Sequence, residues 1–535
     1  MAEKHQVVIV GGGPVGVGLA VELGLRGVDC VVIERHRELA RIPKGQNLTP
    51  RTLEHFYFWG IANELRAARI MPKGYPIGGV TAYKNLMSEY WWRPEGAPRG
   101  RAAMRPHYYE DGDRMPQYQL EAVLRAKAAT LPSVKLVFDQ AAKRVEHDAA
   151  GVRVVAESSV WPYEDEVYEG EYLVGCDGAR SLVRDQVGIQ RAGTDFEQKM
   201  ALCVFKAPQL HAALERYPKS STYRALDPEF HGYPFMHGRV VVGESFFLLA
   251  PVPNDADPHA FDYQALLNRC AGFAYEAEFE HKGFWDMRVS IAEQYQVARV
   301  FIAGDAAHSH PPFGGFGLNN GLEDIRNLGW KLAARLQGWG GDALLASYSE
   351  ERRPIFWEVG EDFIARGIEQ EGDFLERYSP EKDLAEFEQA WSDFEETGGN
   401  RGLTYEPHYE GSPVVAGPPG AVCSAHGEFS FRARPGHHLS PQPLSDGRYL
   451  PEELGPGFTL IVLDAPSGAA EALTAAAAGL RIPFAVVRDT YADGRKRFEA
   501  RLILVRPDQH VVWVGDEAPA DPEGLLRQVV GLGQP

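Results

Sequence analysis

The sequence predicts an α/β fold that opens with a Rossmann-like, dinucleotide-binding unit. Gly11-x-Gly13-x-x-Gly16 follows a β-branched run, Gln6 to Val10, and starts a helical pattern. The next apolar strand, Cys30 to Ile33, ends in Glu34, eighteen residues after Gly16. Near residue 300 a third apolar strand turns at Gly304-Asp305 and leads through a Pro- and Gly-rich loop into a long helix. An acid at a strand's carboxyl end stands where open α/β sheets place ligand contacts.

Composition narrows the class. With 535 residues, 24% charged and 44% hydrophobic, the chain can bury a large core and hold about two to four domains. Its net charge of -19 argues against nucleic acid and against an anionic membrane surface, since both would repel it. Five cysteines, scattered and without CxxC spacing, fit a reducing compartment and predict neither a metal site nor a redox dithiol. No signal peptide or membrane-spanning run is legible, so a cytoplasmic location is expected.

In the opening unit, Gly11 permits the tight turn, Gly13 the approach of a pyrophosphate, and Gly16 close helix–strand packing. Pro14 and Val15 begin the helix. Glu34 is placed to accept from ribose hydroxyls, with Arg35 beside it as a further cofactor contact. The motif leaves NAD and FAD equally open. It occurs once, so one dinucleotide is bound in a standard fold.

Pro43 to Glu54, containing Lys44 and Gln46, leads into a helix, and residues 72 to 112 are aromatic-rich with little periodicity. Another helix begins at Gln117. The alternating run Glu171 to Val174 ends at Gly175-Cys176-Asp177-Gly178, and Arg180 and Arg184, four apart, are expected to share a helix face. Residues 195 to 300 contain strands, of which Val240 to Leu249 is the clearest. Tyr223, His231, Tyr233, His237 and Arg239 form a search list of polar groups for a substrate pocket there, most of them expected at outward positions of alternating strands.

After Asp305, apolar positions Leu318, Leu322, Ile325, Gly329, Leu332 and Leu336 recur at helical spacing. Asn320 and Glu323 make a capping pair, which predicts a helix starting near Asn319 or Asn320. Strand, glycine loop and helix N-terminus aim free backbone N–H groups at a point suited to negative charge. Thr397 to Gly420 reads as a linker. Beyond it, strands at Phe458 to Leu463, Phe484 to Val487, Arg501 to Val505 and Val511 to Val514 alternate with helices near Ala469 to Leu480 and Pro522 to Val530.

These stretches resemble, in order, the flavin fingerprints of the FAD-dependent aromatic hydroxylases, of the p-hydroxybenzoate and phenol hydroxylase type. The resemblance implies a Rossmann-like FAD-binding domain, an inserted substrate-binding sheet domain and a thioredoxin-like C-terminal domain. The boundaries implied are 1–190 and 299–396 for FAD, 191–298 for substrate, 397–420 for the linker and 421–535 for the tail. Asp305 would hold the ribityl chain, and the loop from Pro312 through Gly315 and Gly317 to Asn319 would border the isoalloxazine ring. The N–H groups of Leu318 and Asn319 would face its pyrimidine oxygen. Lys44 stands where the family has Arg, Gln117 matches a flavin-contacting Gln, and Asp177 matches an Asp that supports flavin and nicotinamide binding. Gln46 stands where relatives acting on simple phenols carry an acid, so phenol deprotonation is unassigned. Gln46 and the Pro312 backbone are the catalytic candidates.

The implied activity is a monooxygenase reaction. NADH or NADPH reduces FAD, O2 adds to give a flavin hydroperoxide, and one oxygen passes to a small aromatic substrate. Epoxidation or Baeyer–Villiger insertion on a polycyclic product, and a non-catalytic FAD protein, are the alternatives. The tail, whose lone cysteine is Cys423, reads as a structural part of a homodimer that the flavin chemistry itself can spare.

Overall fold

The computed structural model describes residues 2–72, 75, 79–93, 104–161, 163–230, 233–312 and 314–533, with the side chains of 395–404 and 467 left out. Of the predicted site positions, His231 lies outside the described residues. In chain order, β1 (Glu3–Val10), α1 (Pro14–Gly24) and β2 (Cys30–Ile33) are followed by α2 (Pro50–Phe58), β3 (Gly79–Tyr83), β4 (Trp91–Trp92), α3 (Gln117–Ala128) and β5 (Val134–Val137). An antiparallel run, β6 (Gln140–His147), β7 (Val152–Ser158) and β8 (Asp165–Gly175), leads to the short α4 (Leu182–Gln186). Next come β9 (Asp195–Lys206), β10 (Thr222–Leu226), β11 (Phe235–Val241), β12 (Ser245–Val252), α5 (Tyr263–Ala271) and β13 (Glu278–Arg288). The chain returns through β14 (Val300–Ile302) into α6 (Phe316–Leu336), α7 (Asp342–Glu358), α8 (Arg366–Arg377) and α9 (Leu384–Thr404).

The first sheet runs β14–β8–β1–β2–β5, with every one of these neighbours parallel. Its strands are continuous apolar runs because both faces are covered. Val7 to Val10 and Cys30 to Ile33 are buried without alternation. The second sheet runs β13–β9–β12–β11–β10–β3–β4. It therefore recruits β3 and β4 from residues 79–92 as well as the predicted insertion. Val240 to Leu249 is a hairpin and not one strand: β11 ends at Val241, Gly243 turns with φ 87°, and β12 begins at Ser245.

Three further expectations are corrected. α6 starts at Phe316, because Gly315 supplies a left-handed N-cap at φ 76° and no side chain is needed to start the turn. Asn320 is already inside the helix, where its Nδ2 donates to the Phe316 carbonyl at 3.2 Å, and buried Glu323 pairs with Arg51. Arg180 lies before the Ser181 cap of α4 and is exposed, whereas Arg184 is buried and donates to the Ala306 carbonyl at 3.1 Å. The predicted linker is also built into the fold. α9 reaches Thr404, β15 (Tyr405–His408) pairs with β16 (Ser424–His426), and Tyr409 and Ser412 are buried.

The tail forms a four-stranded sheet, β18 (Phe484–Asp489), β17 (Phe458–Leu463), β19 (Leu502–Val505) and β20 (Val511–Gly515) in that order. Its β17–β18 pair is parallel and the others antiparallel, with α10 (Ser467–Gly479) and α11 (Pro522–Val529), the thioredoxin-like arrangement. It is not a separable appendage. Arg506 reaches Glu351 of α7 through two bonds of 2.8 and 2.9 Å, and the Asp508 carboxylate accepts from Trp330 Nε1 at 3.2 Å. All four of these side chains are buried in the junction.

Candidate active site

Three glycine turns meet at one crevice. Gly11, at φ 105°, lies against the chain at Cys176-Asp177: a Cβ on it would stand 2.3 Å from the Cys176 carbonyl. A Cβ on Gly304 or on Gly321 of α6 would each stand 2.8 Å from Val15 Cγ2. So the first turn of α1, the end of β8 and the turn after β14 are packed on one another. Gly13 differs, because a Cβ there would meet nothing within 4 Å. Open space at the N-terminus of a helix is what a bound pyrophosphate requires.

Neither α1 nor α6 has a side-chain N-cap or an acid in its first turn. Helix geometry leaves the N–H groups of Gly315 to Leu318 without intrahelical acceptors, whereas the Asn319 N–H is the first to enter the helix ladder. The Asn319 side chain serves as a clasp: Oδ1 accepts from Thr49 N (3.0 Å) and Thr52 Oγ1 (2.6 Å), and Nδ2 donates to the Asn47 carbonyl (2.9 Å). It fixes the Lys44–Thr49 segment against the glycine loop. Gly45 is thereby held near Leu318 and Gln117, at 3.2 and 3.5 Å from where its Cβ would stand.

Asp305 is exposed, yet the protein around it raises its carboxyl pKa through desolvation, with His308 and Lys44 pulling the other way. The turn that carries Asp305 is held by Asp324 of α6, whose carboxylate accepts from Gly304 N at 3.0 Å, His308 Nε2 at 2.6 Å and Arg352 Nε at 2.8 Å. Glu34 accepts from Gly12 N at 2.6 Å, and Arg125 donates to the Gly12 carbonyl at 3.3 Å. Asp177 sits at the crevice edge, where its carboxylate caps α4 through Ser181 Oγ (2.5 Å) and Val183 N (3.1 Å), and burial raises its pKa. Lys44, Arg35 and Pro312 are exposed, and Gln117 donates to Glu121 at 2.6 Å. Asp324 is the residue that the sequence reading missed, because it sits mid-helix with no local motif. Arg125 lies two turns beyond Gln117 on α3, as the sequence places it.

The substrate search list divides by strand parity. Tyr223, His237 and Arg239 share one face of the second sheet, since Tyr223 pairs with His237 and Arg239 with Phe246. That face packs with Phe205, Phe246 and α5 into a satellite core. The Tyr223 hydroxyl is bonded to Arg239, and His237 is fully buried, its pKa depressed to about 3 by desolvation. These three therefore point away from the FAD-binding body. Tyr233 packs against the body's core. The body-facing positions are the alternates: Leu202, Val204, Met236, Val240, Phe247 and Leu249 cluster with Ile42, which leads into the Lys44 loop. Gln46 is buried, and its Oε1 accepts from Arg114 Nη2 at 3.0 Å. A separate cavity of about 750 Å³ opens beside Phe363, Arg366, Arg377 and His426. It contains none of the glycine turns.

Comparison with known proteins agrees with this geometry. Residues 4–362 match the FAD binding domain family, a span that contains all three glycine turns, and residues 433–533 match the aromatic-ring hydroxylase C-terminal family. The chain belongs to the FAD-dependent aromatic-ring hydroxylases. It is 28% identical over 557 residues to a 4-methyl-5-nitrocatechol 5-monooxygenase of Burkholderia sp, covering 98% of this chain and 96% of that one. Among solved structures it resembles the rebeccamycin biosynthetic enzyme RebC with reduced flavin (TM-score 0.84, 28% identity, 100% of both chains). It also resembles aklavinone-11 hydroxylase in a ternary complex with FAD and aklavinone (TM-score 0.81, 26% identity, 99% of this chain and 100% of that one). This hydroxylase is thus an FAD-dependent monooxygenase. Among its described residues no helix is long and apolar enough to cross a membrane.

Proposed function

We propose that this hydroxylase adds one oxygen from O2 to an aromatic ring of an extended, largely apolar substrate, using NADH or NADPH as reductant. The observation that carries the substrate class is the body-facing side of the second sheet. Leu202, Val204, Met236, Val240, Phe247 and Leu249 offer a broad apolar wall, with His281 opposite Val204 and Arg224 opposite Met236 at its two flanks. Such a wall binds a fused or substituted ring system by area and confines polar contacts to its flanks. Gln46, tied to Arg114, leaves no carboxylate at its position to ionise a phenol. The names of relatives fit a range of ring systems, from a nitrocatechol to aklavinone.

FAD, when bound, supplies hydride acceptance and O2 activation. This chain's residues do the rest. Gly13 and the α1 N-terminus receive the pyrophosphate, Glu34 and Asp305 accept from sugar and ribityl hydroxyls, and the uncapped N-terminus of α6 stabilises negative charge on the ring. The apolar wall excludes water from the reacting face. The test is a screen of phenolic and polycyclic compounds for stimulated NAD(P)H oxidation by the FAD-loaded protein, with products identified by mass. A true substrate speeds anaerobic flavin reduction by at least roughly tenfold, a barrier change of ~1.4 kcal/mol. Preference for small phenols over extended ring systems would refute the substrate class, and peroxide without oxygenated product throughout would refute the activity.

A further inference from the structure

Period two places Glu406 and His408 on one face of β15, and both are buried there; Glu410 follows just past the strand's end. His437, from the loop ahead of the tail sheet, stacks on His408 with centroids 4.5 Å apart and planes 18° apart. Donor atoms of His408, Glu410 and His437 all lie within 4.8 Å of one another. Among the described residues no other group of three His, Cys, Asp or Glu converges in this way.

Each imidazole is oriented through its other nitrogen. His437 Nδ1 meets the Glu406 carboxylate at 2.8 and 3.0 Å, and His408 Nε2 donates to the His426 carbonyl at 3.1 Å. Glu406 is itself braced by Arg434 at 3.3 Å. A ring nitrogen backed by a carboxylate or carbonyl is the outer-shell device that fixes tautomer and aim in metal-binding histidines. What remains is His437 Nε2, 2.9 Å from Glu410 Oε1, and His408 Nδ1, buried with no hydrogen-bond partner among the described residues. His408 is 8% exposed and His437 3%. An ion pair of cationic His437 between Glu406 and Glu410 would account for the first of these contacts. It leaves the second, an orphaned ring nitrogen in a polar cluster, without a reason.

We propose that His408, Glu410 and His437 form a binding site for a divalent transition cation of the zinc class. Two imidazole nitrogens and a carboxylate are borderline ligands that select Zn2+ or Co2+ over Mg2+ or Ca2+, and three protein ligands leave a position for water. Half-buried Glu410 stands on the accessible side. The cation joins β15, where the chain leaves the FAD-binding body, to the loop that enters the tail. Tyr405, the first residue of β15, packs edge-on against Phe316, the first residue of α6, at 5.0 Å. The site is therefore a bolt behind the flavin loop and takes no part in the redox chemistry.

The test uses full-length, FAD-loaded protein dialysed against chelator and then titrated with Zn2+ by calorimetry and with Co2+ by absorption on the long-wavelength side of the flavin. Expected are about one equivalent of zinc per chain, ligand-field bands with Co2+, no competition from Mg2+, and a rise in Tm with zinc. Glu410→Gln, which keeps shape and hydrogen bonding, should weaken zinc by at least roughly tenfold with FAD content unchanged. His408→Ala should abolish the Co2+ bands. Absence of stoichiometric binding would make His437 a plain ion-pair centre and overturn the proposal. Equal affinity in the wild type and in Glu410→Gln would place the zinc elsewhere and overturn it too.

Discussion

The two sides of α6 are built on opposite rules. Its N-terminal end, at Gly315 to Leu318, lies at the crevice with no side-chain cap and no acid in its first turn among the described residues. Its flank further along is saturated. Glu323 receives Arg51 and His55 at 3.0 and 2.8 Å, Arg326 reaches Glu22 at 2.5 Å and the Pro507 carbonyl at 2.7 Å, and Lys331 meets Glu351 at 2.7 Å. Arg51 continues to the Asp508 carbonyl at 2.7 Å. The difference separates what a helix does for a ligand from what it does for the fold. An uncapped helix end suits an anionic ligand, and buried charges that share several partners mark a junction that holds only while every partner is present.

The junction is the place where the largest effect is expected. Arg506→Met leaves Glu351 with Lys331, Asn327 and Ser412 but without its guanidinium, and should cost ~3–5 kcal/mol of stability, read as a lower urea midpoint for FAD release. A chain ending near Glu396 takes the tail partners of Arg51, Arg326 and Glu351 away together, so it should fail to fold instead of yielding a free FAD-binding body. If that truncated chain were soluble and yellow, the saturated-flank reading would fail.

Gly13→Val probes the other rule. Its backbone (φ -74°, ψ -173°) suits any residue and its Cβ meets no protein atom, so thermal unfolding of the apo-protein should be unchanged. FAD binding should weaken roughly a hundredfold, ~2.8 kcal/mol. A variant that binds FAD normally would mean the open space is not the pyrophosphate site. Asp305→Ala should weaken FAD by ~1.5–3 kcal/mol, the worth of a hydrogen bond to a charged group, measured by fluorescence titration.

The smallest effect belongs to Glu22. Burial pushes its carboxyl up, but Arg326, Arg26 and the Trp59 indole N–H outweigh it and hold the pKa at about 2. Burial lowers the Arg326 guanidinium even so, which returns part of the gain. A depressed carboxylate stabilises the fold above its unfolded pKa, and that stability is lost as pH falls through the folded value. Between roughly pH 5 and 2, about 1–2 kcal/mol should drain from the wild type and not from Glu22→Gln. Parallel Tm–pH curves for the two proteins would contradict this.

What was legible in the sequence follows the same division. Gly11, Gly13, Gly16 and Gly304-Asp305 encode local backbone shape, so the turns, β2 and the tail strand Phe458–Leu463 could be read to the residue. The start of α6 was misplaced because Gly315 caps through its own φ, leaving no polar cap to see. The substrate face was not legible, because polarity in these alternating strands marks the face under α5, where Tyr223, His237 and Arg239 lie. The ion pairs of the junction join residues as far apart as Glu351 and Arg506, and no local pattern announces such partners.

The most direct test of the central assignment is a single turnover of the FAD-loaded protein under 18O2, with NAD(P)H and the best compound from the screen, followed by product mass spectrometry. The crevice and apolar wall predict a product carrying label from O2 on its aromatic ring. Unlabelled product, or reductant consumed with all label in peroxide, would contradict the monooxygenase reading of this site.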